Sequence, residues 1–132
     1  MKYLLDTNIC IYIIKRKPPK IFKKFESLRV SDVAISSITL AELEYGVYKS
    51  TQPEKNTIAL TKFLAPISIL PFEDTAAKAF GIIRTNLELK GQPIGPYDML
   101  IAAHAHSLGL TLVTNNIKEF KRIKDLKLEN WV

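Results

Sequence analysis

The sequence predicts a small doubly wound α/β domain, a mostly parallel sheet flanked by helices. Short apolar or β-branched runs alternate with longer stretches of helical character, which is the pattern of a parallel sheet covered on both faces and joined by right-handed crossovers. Turn and capping residues, chiefly Asp, Asn, Pro and Gly, punctuate the alternation. The 132 residues, 47% of them hydrophobic, are enough for one self-sufficient core, so a single domain over residues 1–132 without a linker is expected.

Tyr3-Leu4-Leu5 has the composition of a short buried strand, and Asp6-Thr7-Asn8 supplies cap chemistry for a helix from about Thr7 to Lys15. The β-branched run Ile9 to Ile14 would by propensity extend the strand, but Asp-Thr-Asn is a poor strand interior and a good cap. A second helix, roughly Pro19 to Leu28, precedes the strand Val33-Ala34-Ile35-Ser36. The next helix runs from Thr39 or so to Lys49, and Thr39-Leu40-Ala41-Glu42 has the Thr-x-x-Glu form of a capping box. Pro53 can open another helix, and Ile67-Ser68-Ile69-Leu70 forms a strand closed by Pro71.

From Thr75 to Lys90, Ala76, Phe80, Ile83 and Leu87 recur at intervals of four, three and four, the mark of an amphipathic helix ended by Gly91. Gly95-Pro96 begins a helix to about Leu108 with Gly109 as its stop. A strand from Leu110 to Thr114, a short helix around Ile117 to Lys121 and a final edge strand near Leu128 complete the order.

Charge and cysteine content narrow the function. The formal net charge of +6, from 19 Lys and Arg against 13 Asp and Glu, favours a polyanionic partner over a merely solvated basic surface. The densest basic segment, Lys15, Arg16, Lys17, Lys20, Lys23 and Lys24, could follow an RNA backbone, meet an acidic protein segment or simply be solvated. A lone cysteine, Cys10, excludes an internal disulfide and a cysteine-based zinc site, and fits a reducing compartment. The longest apolar run, Ile9 to Ile14, is far short of the roughly 18 residues that span a membrane, so a cytoplasmic location and no membrane partner are expected. Nothing matches a phosphate-binding glycine loop, and no Ser-His-Asp or Cys-His arrangement supports nucleophilic triad chemistry.

Three carboxylates, Asp6, Glu42 and Asp98, each fall where an apolar run gives way to a helix start. Ligands of open α/β sheets collect outside the carboxyl ends of the strands, so residues this far apart in sequence can converge there, and a cation is the usual remedy for their repulsion. Each also has a bland explanation. Asp6 can be an N-cap, Glu42 the acid of the Thr39 capping box, and Asp98 a first-turn carboxylate gaining about 0.3–1 kcal/mol from the helix dipole. Asn116 is again an N-cap candidate whose oxygen could hold a metal-bound water. Glu44 projects about 200° around the helix from Glu42, so only one of the pair can face a given pocket, and Glu42 is nearer the helix start. His104 shares a stripe with Leu100, Ile101 and Leu108 and is expected to be a packed core histidine, with His106 solvated. Spacing alone does not separate four caps from one assembled site.

At these residues the chain resembles the PIN-domain ribonucleases, specifically the VapC-type toxins of prokaryotic toxin and antitoxin pairs. The matching stretches are Leu5-Asp6-Thr7-Asn8-Ile9, Ser37 to Leu43 with Gly46, Gly91 to Gly95 with Asp98, and Leu112 to Phe120. The resemblance implies that Asp6, Glu42 and Asp98 are the acidic metal-site residues, maps the family's fourth position onto Asn116, and makes Thr7 the supporting hydroxyl. It further implies Mg²⁺ or Mn²⁺ dependence, a homodimer, a VapB-type antitoxin forming a larger complex with it, and structured RNA, often transfer RNA, as substrate. The expected activity is hydrolysis of RNA to 5′-phosphate and 3′-hydroxyl ends, with Asp6 and Asp98 on the metal and Glu42 and Asn116 holding it directly or through water.

Two rivals remain. A non-catalytic RNA-binding or scaffolding domain would keep the same fold. A phosphoacceptor signalling module needs an aspartate at the end of the central strand, and the run Ile67 to Leu70 leads instead into Pro71-Phe72.

Overall fold

In the computed structural model, which describes Met1–Val132, five parallel strands lie in the order β3-β2-β1-β4-β5. The strands are β1 (Tyr3–Leu5), β2 (Val33–Ser36), β3 (Ser68–Leu70), β4 (Thr111–Val113) and β5 (Leu128–Glu129). Between them run α1 (Thr7–Lys15), α2 (Pro19–Glu26), α3 (Ser37–Lys49), α4 (Pro53–Leu64), α5 (Asp74–Leu89), α6 (Pro96–Leu108) and α7 (Ile117–Phe120), with a 3-10 turn at Val30–Asp32. Every predicted element is present, and most boundaries shift by no more than two residues.

Alternation along the strands sorts the core into two faces. Tyr3 and Leu5 of β1 pack with Val33 and Ile35 of β2 and with apolar residues of α1 to α4, including Ile9, Ile13, Leu43 and Phe63. Leu4, Ala34 and Leu112 point the other way, against Ile83 and Leu87 of α5, Ile101 and Ala105 of α6, and Phe120. Strands this short and wholly buried carry continuous apolar runs because helices cover both sides.

The chain winds from β1 out to β3, then returns to the other side of β1 for β4. This reversal opens a crevice at the carboxyl ends of β1 and β4, the usual ligand position in such sheets. β1 is therefore the central strand, and it is followed by Asp6. β3 lies at an edge, so the residues after Ile67 to Leu70 are no argument against a phosphoacceptor, and that ground for setting the rival aside is withdrawn.

Candidate functional site

Asp6 leaves β1 in extended geometry and caps α1, its Oδ1 accepting the Ile9 amide at 2.8 Å. The capping explanation is thus correct, but it is incomplete. Asp6 is only 5% exposed, and its pKa is lifted from 3.8 to about 6, first by burial and further by the nearby charges of Asp98 and Glu42. The Ile9 amide and the Thr114 hydroxyl favour its charged form and only partly offset this. A residue serving helix geometry alone gains nothing from two extra carboxylates.

Asp98 sits in the first turn of α6, as predicted, half-buried; burial, then Glu42 and Glu119, raise its pKa. Gly95 precedes α6 without a side-chain cap, so the helix opens with amides that no side chain fills. A Cβ on Gly95 would lie 3.7 Å from Asp98 Oδ2, ordinary contact that leaves the carboxylate room.

Glu42 corrects the sequence reading. α3 starts at Ser37 with Ser36 as its N-cap, the Ser36 hydroxyl accepting the Ile38 amide at 3.0 Å. Thr39 therefore lies inside the helix, its buried hydroxyl without a hydrogen-bond partner, and no capping box forms. Glu42 is displaced into the second turn and is not a helix-start residue. Freed from capping, it accepts the Thr7 hydroxyl at 2.6 Å across 35 residues of sequence. Ser36 was the better cap because it ends β2 directly, so helix and strand meet with no intervening loop.

Asn116 occupies the N-cap position of α7, yet its side chain caps nothing. Its Nδ2 donates to Glu119 Oε2 at 2.8 Å, while the Asn116 amide donates to the Thr114 hydroxyl at 3.0 Å. Glu119 is the residue that sequence reasoning missed. The signal was its i, i+3 spacing from Asn116, which puts both on one side of the short helix.

Asp98 and Glu42 thus act electrostatically on Asp6, and Glu42 and Glu119 on Asp98, in one crevice where Glu119 is also hydrogen-bonded to Asn116. They do not form a closed cage: no group of three His, Cys, Asp or Glu side chains converges tightly enough to grip an ion. All the donors are oxygens, the set preferred by hard divalent cations. Mg²⁺ is commonly held by one or two carboxylates, several waters and substrate phosphates, so an open acidic crevice suits it better than a cage would.

His104 is buried as predicted and belongs to no such cluster; its Nδ1 is 2.8 Å from the Ser36 hydroxyl, and His106 is exposed. In the basic segment, Arg16 stacks 4.1 Å from the Phe22 ring centroid and Lys24 lies 5.9 Å from that of Trp131. No helix is long and apolar enough to cross a membrane.

Known proteins resemble this chain over nearly its whole length. The PIN domain matches residues 3–126. Ribonuclease VapC2 of Rickettsia felis is 51% identical over 132 residues, covering 99% of this chain and 98% of that protein. The tRNA(fMet)-specific endonuclease VapC of Salmonella typhimurium is 47% identical over 131 residues, covering 99% and 98%. Among solved structures, DNA-bound VapBC from Salmonella typhimurium superposes with a TM-score of 0.95 at 47% identity, covering 100% of this chain and 99% of that one.

Proposed function

Since this chain belongs to the PIN-domain family, among its VapC ribonucleases, we propose that it is a metal-dependent endoribonuclease toxin that hydrolyses structured RNA, with transfer RNA as the substrate class, and is restrained by a VapB-type antitoxin. The observation that carries this reading is the trio Asp6, Glu42 and Asp98. Burial makes Asp6 and Asp98 costly to ionise, and the charge of Glu42 adds to that cost at both, with Asp98 adding to it at Asp6. Such an arrangement is stable when a cation completes it. Asp6 and Asp98 would hold Mg²⁺ or Mn²⁺, with Glu42 and Asn116 contributing directly or through water. The ion would acidify a water and offset charge on the phosphate oxygens.

The chain's own residues supply orientation. The Ile9 amide and Thr114 fix the Asp6 carboxylate, and Thr7 donates to Glu42 so that one of its oxygens stays committed. Asn116 spends an N–H on Glu119, leaving its carbonyl oxygen as an acceptor. The uncapped start of α6 offers amides and a positive dipole end to a phosphate. With water rather than the ribose 2′-hydroxyl as attacking group, the products carry 5′-phosphate and 3′-hydroxyl ends.

The solved neighbours from Salmonella typhimurium and Rickettsia felis are VapBC assemblies, which supports an antitoxin partner and, with it, assembly of toxin copies into a homodimer and a larger complex. A cavity of about 310 Å³ between α1, α3 and α4 offers a seat for the antitoxin: Ile11, Ile14 and Leu43 give it apolar walls, and Glu42 joins it to the rim of the site.

Mapping the RNA ends released by the purified chain with Mg²⁺, beside the Asp6→Asn variant, tests the proposal. Expected are 5′-phosphate, 3′-hydroxyl products from the wild type alone. Cyclic phosphate ends would overturn the hydrolytic mechanism, and equal cleavage by the variant would overturn the site.

A further inference from the structure

A second basic feature begins at the candidate site itself. From Asn116 the chain passes through α7 and a run of turns over residues 121–125 to reach β5. Because β4 and β5 are parallel, this connection travels from the carboxyl edge of the sheet, where Asn116 and Glu119 sit, to the amino edge. Along it an exposed lysine recurs every third residue, at Lys118, Lys121, Lys124 and Lys127. Lys127 is committed, its Nζ donating to the Gly109 carbonyl at 3.3 Å. The other three enter neither of the chain's two ion pairs.

The track runs beside a cavity of about 240 Å³ between α5, α6 and the turns, whose wall includes Lys90, His106, Arg122 and Lys124, with Asp125 as its only acid. Arg122 is braced by donating from Nη1 to the Pro93 carbonyl at 3.1 Å, which holds the guanidinium in place and leaves further donors available. Lys90 and His106 close α5 and α6, where a cation complements the helix dipole. Lys118 and Lys121 also lie at the C-terminal end of α7, but a helix of four residues has little dipole to complement, and Lys124 lies beyond it.

We propose that Lys118, Lys121 and Lys124, leading to the Arg122 cavity, form a backbone track that holds RNA phosphates beyond the cleaved bond. The proposal rests on the ribonuclease reading above. An acidic polypeptide would also be attracted, but the track starts at Asn116 and Glu119, so a nucleic-acid strand seated in the crevice continues onto it. The basic segment from Lys15 to Lys24 begins at the end of α1 opposite Asp6, and two of its residues, Arg16 and Lys24, already lie over aromatic rings.

The test measures binding of a transfer RNA by fluorescence anisotropy in EDTA, over a range of salt concentrations, with the full chain. The triple variant Lys118→Gln, Lys121→Gln, Lys124→Gln is compared with Lys55→Gln, Lys62→Gln, Lys78→Gln, which removes the same charge from exposed positions on α4 and α5. The track variant should show a log affinity against log salt slope shallower by about 2–3, as expected for three lost phosphate contacts, while the control keeps the wild-type slope. With Mg²⁺, its kcat/KM on transfer RNA should fall at least tenfold, while kcat/KM on a pentanucleotide that fills only the crevice stays level. An unchanged slope, or an equal loss in both triples, overturns the track while leaving the nuclease intact. Loss of antitoxin affinity with the RNA slope retained assigns the lysines to a protein partner and likewise overturns it. A wild-type chain that binds no RNA removes the ribonuclease reading as well.

Discussion

Asp6 and His104 are both almost fully buried, at 5% and 2% exposure, but their surroundings differ in kind. His104 meets partners that satisfy its ring: the Ser36 hydroxyl at Nδ1 and the Pro71 backbone, which together with Glu73 only partly offsets the effect of burial, with Phe72 packed edge-on at 5.4 Å. Burial lowers its pKa, and the ring ties α6 to the end of β2 and the start of α3. Asp6 also has hydrogen-bond donors, yet Asp98 and Glu42 oppose its charge. A structural polar group is buried with complementary partners. Under the proposed function, Asp6 is buried among groups that oppose its charge because a cation is to join them.

Substitution should separate the two centres most sharply at Asp6. Asn keeps the shape and the cap but removes the charge, so Asp6→Asn should lower RNA cleavage by well over the 10–100-fold typical of losing a residue that only supports a metal ligand. In divalent-free buffer at pH 8 its melting temperature should equal or exceed that of the wild type. A variant that loses both activity and fold would show Asp6 to be chiefly structural.

The pH dependence of stability should next distinguish them by sign. Asp6 has a folded pKa near 6 against an ordinary 3.8, so the folded chain binds more protons across that interval; its contribution to stability is full below pH 4 and lost as pH rises through 6, by about 3 kcal/mol. His104 acts oppositely: its folded pKa lies below 6.5, so its contribution is full above that value and declines as pH falls. Urea unfolding in EDTA between pH 4 and 8, with Asp6→Asn and His104→Leu alongside, reads both slopes. Added Mg²⁺ should remove the Asp6 loss above pH 6 and leave the histidine limb unchanged.

Thr7→Val should reduce cleavage by about 10–100-fold, since it removes the hydroxyl that commits one Glu42 oxygen. Its stability should fall by no more than about 1.5 kcal/mol, the worth of one hydrogen bond. His104→Leu should have the smallest effect on chemistry. It leaves the Ser36 hydroxyl and a backbone carbonyl short of a partner, costing about 1–3 kcal/mol of stability, while cleavage per folded molecule stays within a few-fold. A cleavage loss as large as that of Thr7→Val would place His104 in the catalytic apparatus.

The two centres were not equally legible in the sequence. His104 could be placed from helical spacing alone, because its role follows from which face of α6 meets the sheet. Asp6 and Asp98 could be placed at helix starts from the residues around them, and the resemblance to PIN-domain proteins joined them to Glu42 and Asn116. The Thr39 capping box was wrong because two hydroxyl residues, Ser36 and Thr39, could each begin the same helix. Local chemistry did not separate them, and the direct passage from β2 into α3 selected Ser36. Glu119 escaped notice because its link to Asn116 is only a spacing until Asp98 lies beside it.

Local chemistry along the chain determined the alternation of strands and helices, the apolar faces and most element ends, since propensity, periodicity and capping act over a few neighbouring residues. It also determined the basic character that favours a polyanion. Only the tertiary structure decided that β1 is central and β3 an edge, that Glu42 answers Thr7 rather than a cap, and that the carboxylates share one crevice. Those outcomes depend on through-space packing between residues tens of positions apart, where the order of strands sets which side chains must bear one another's charge.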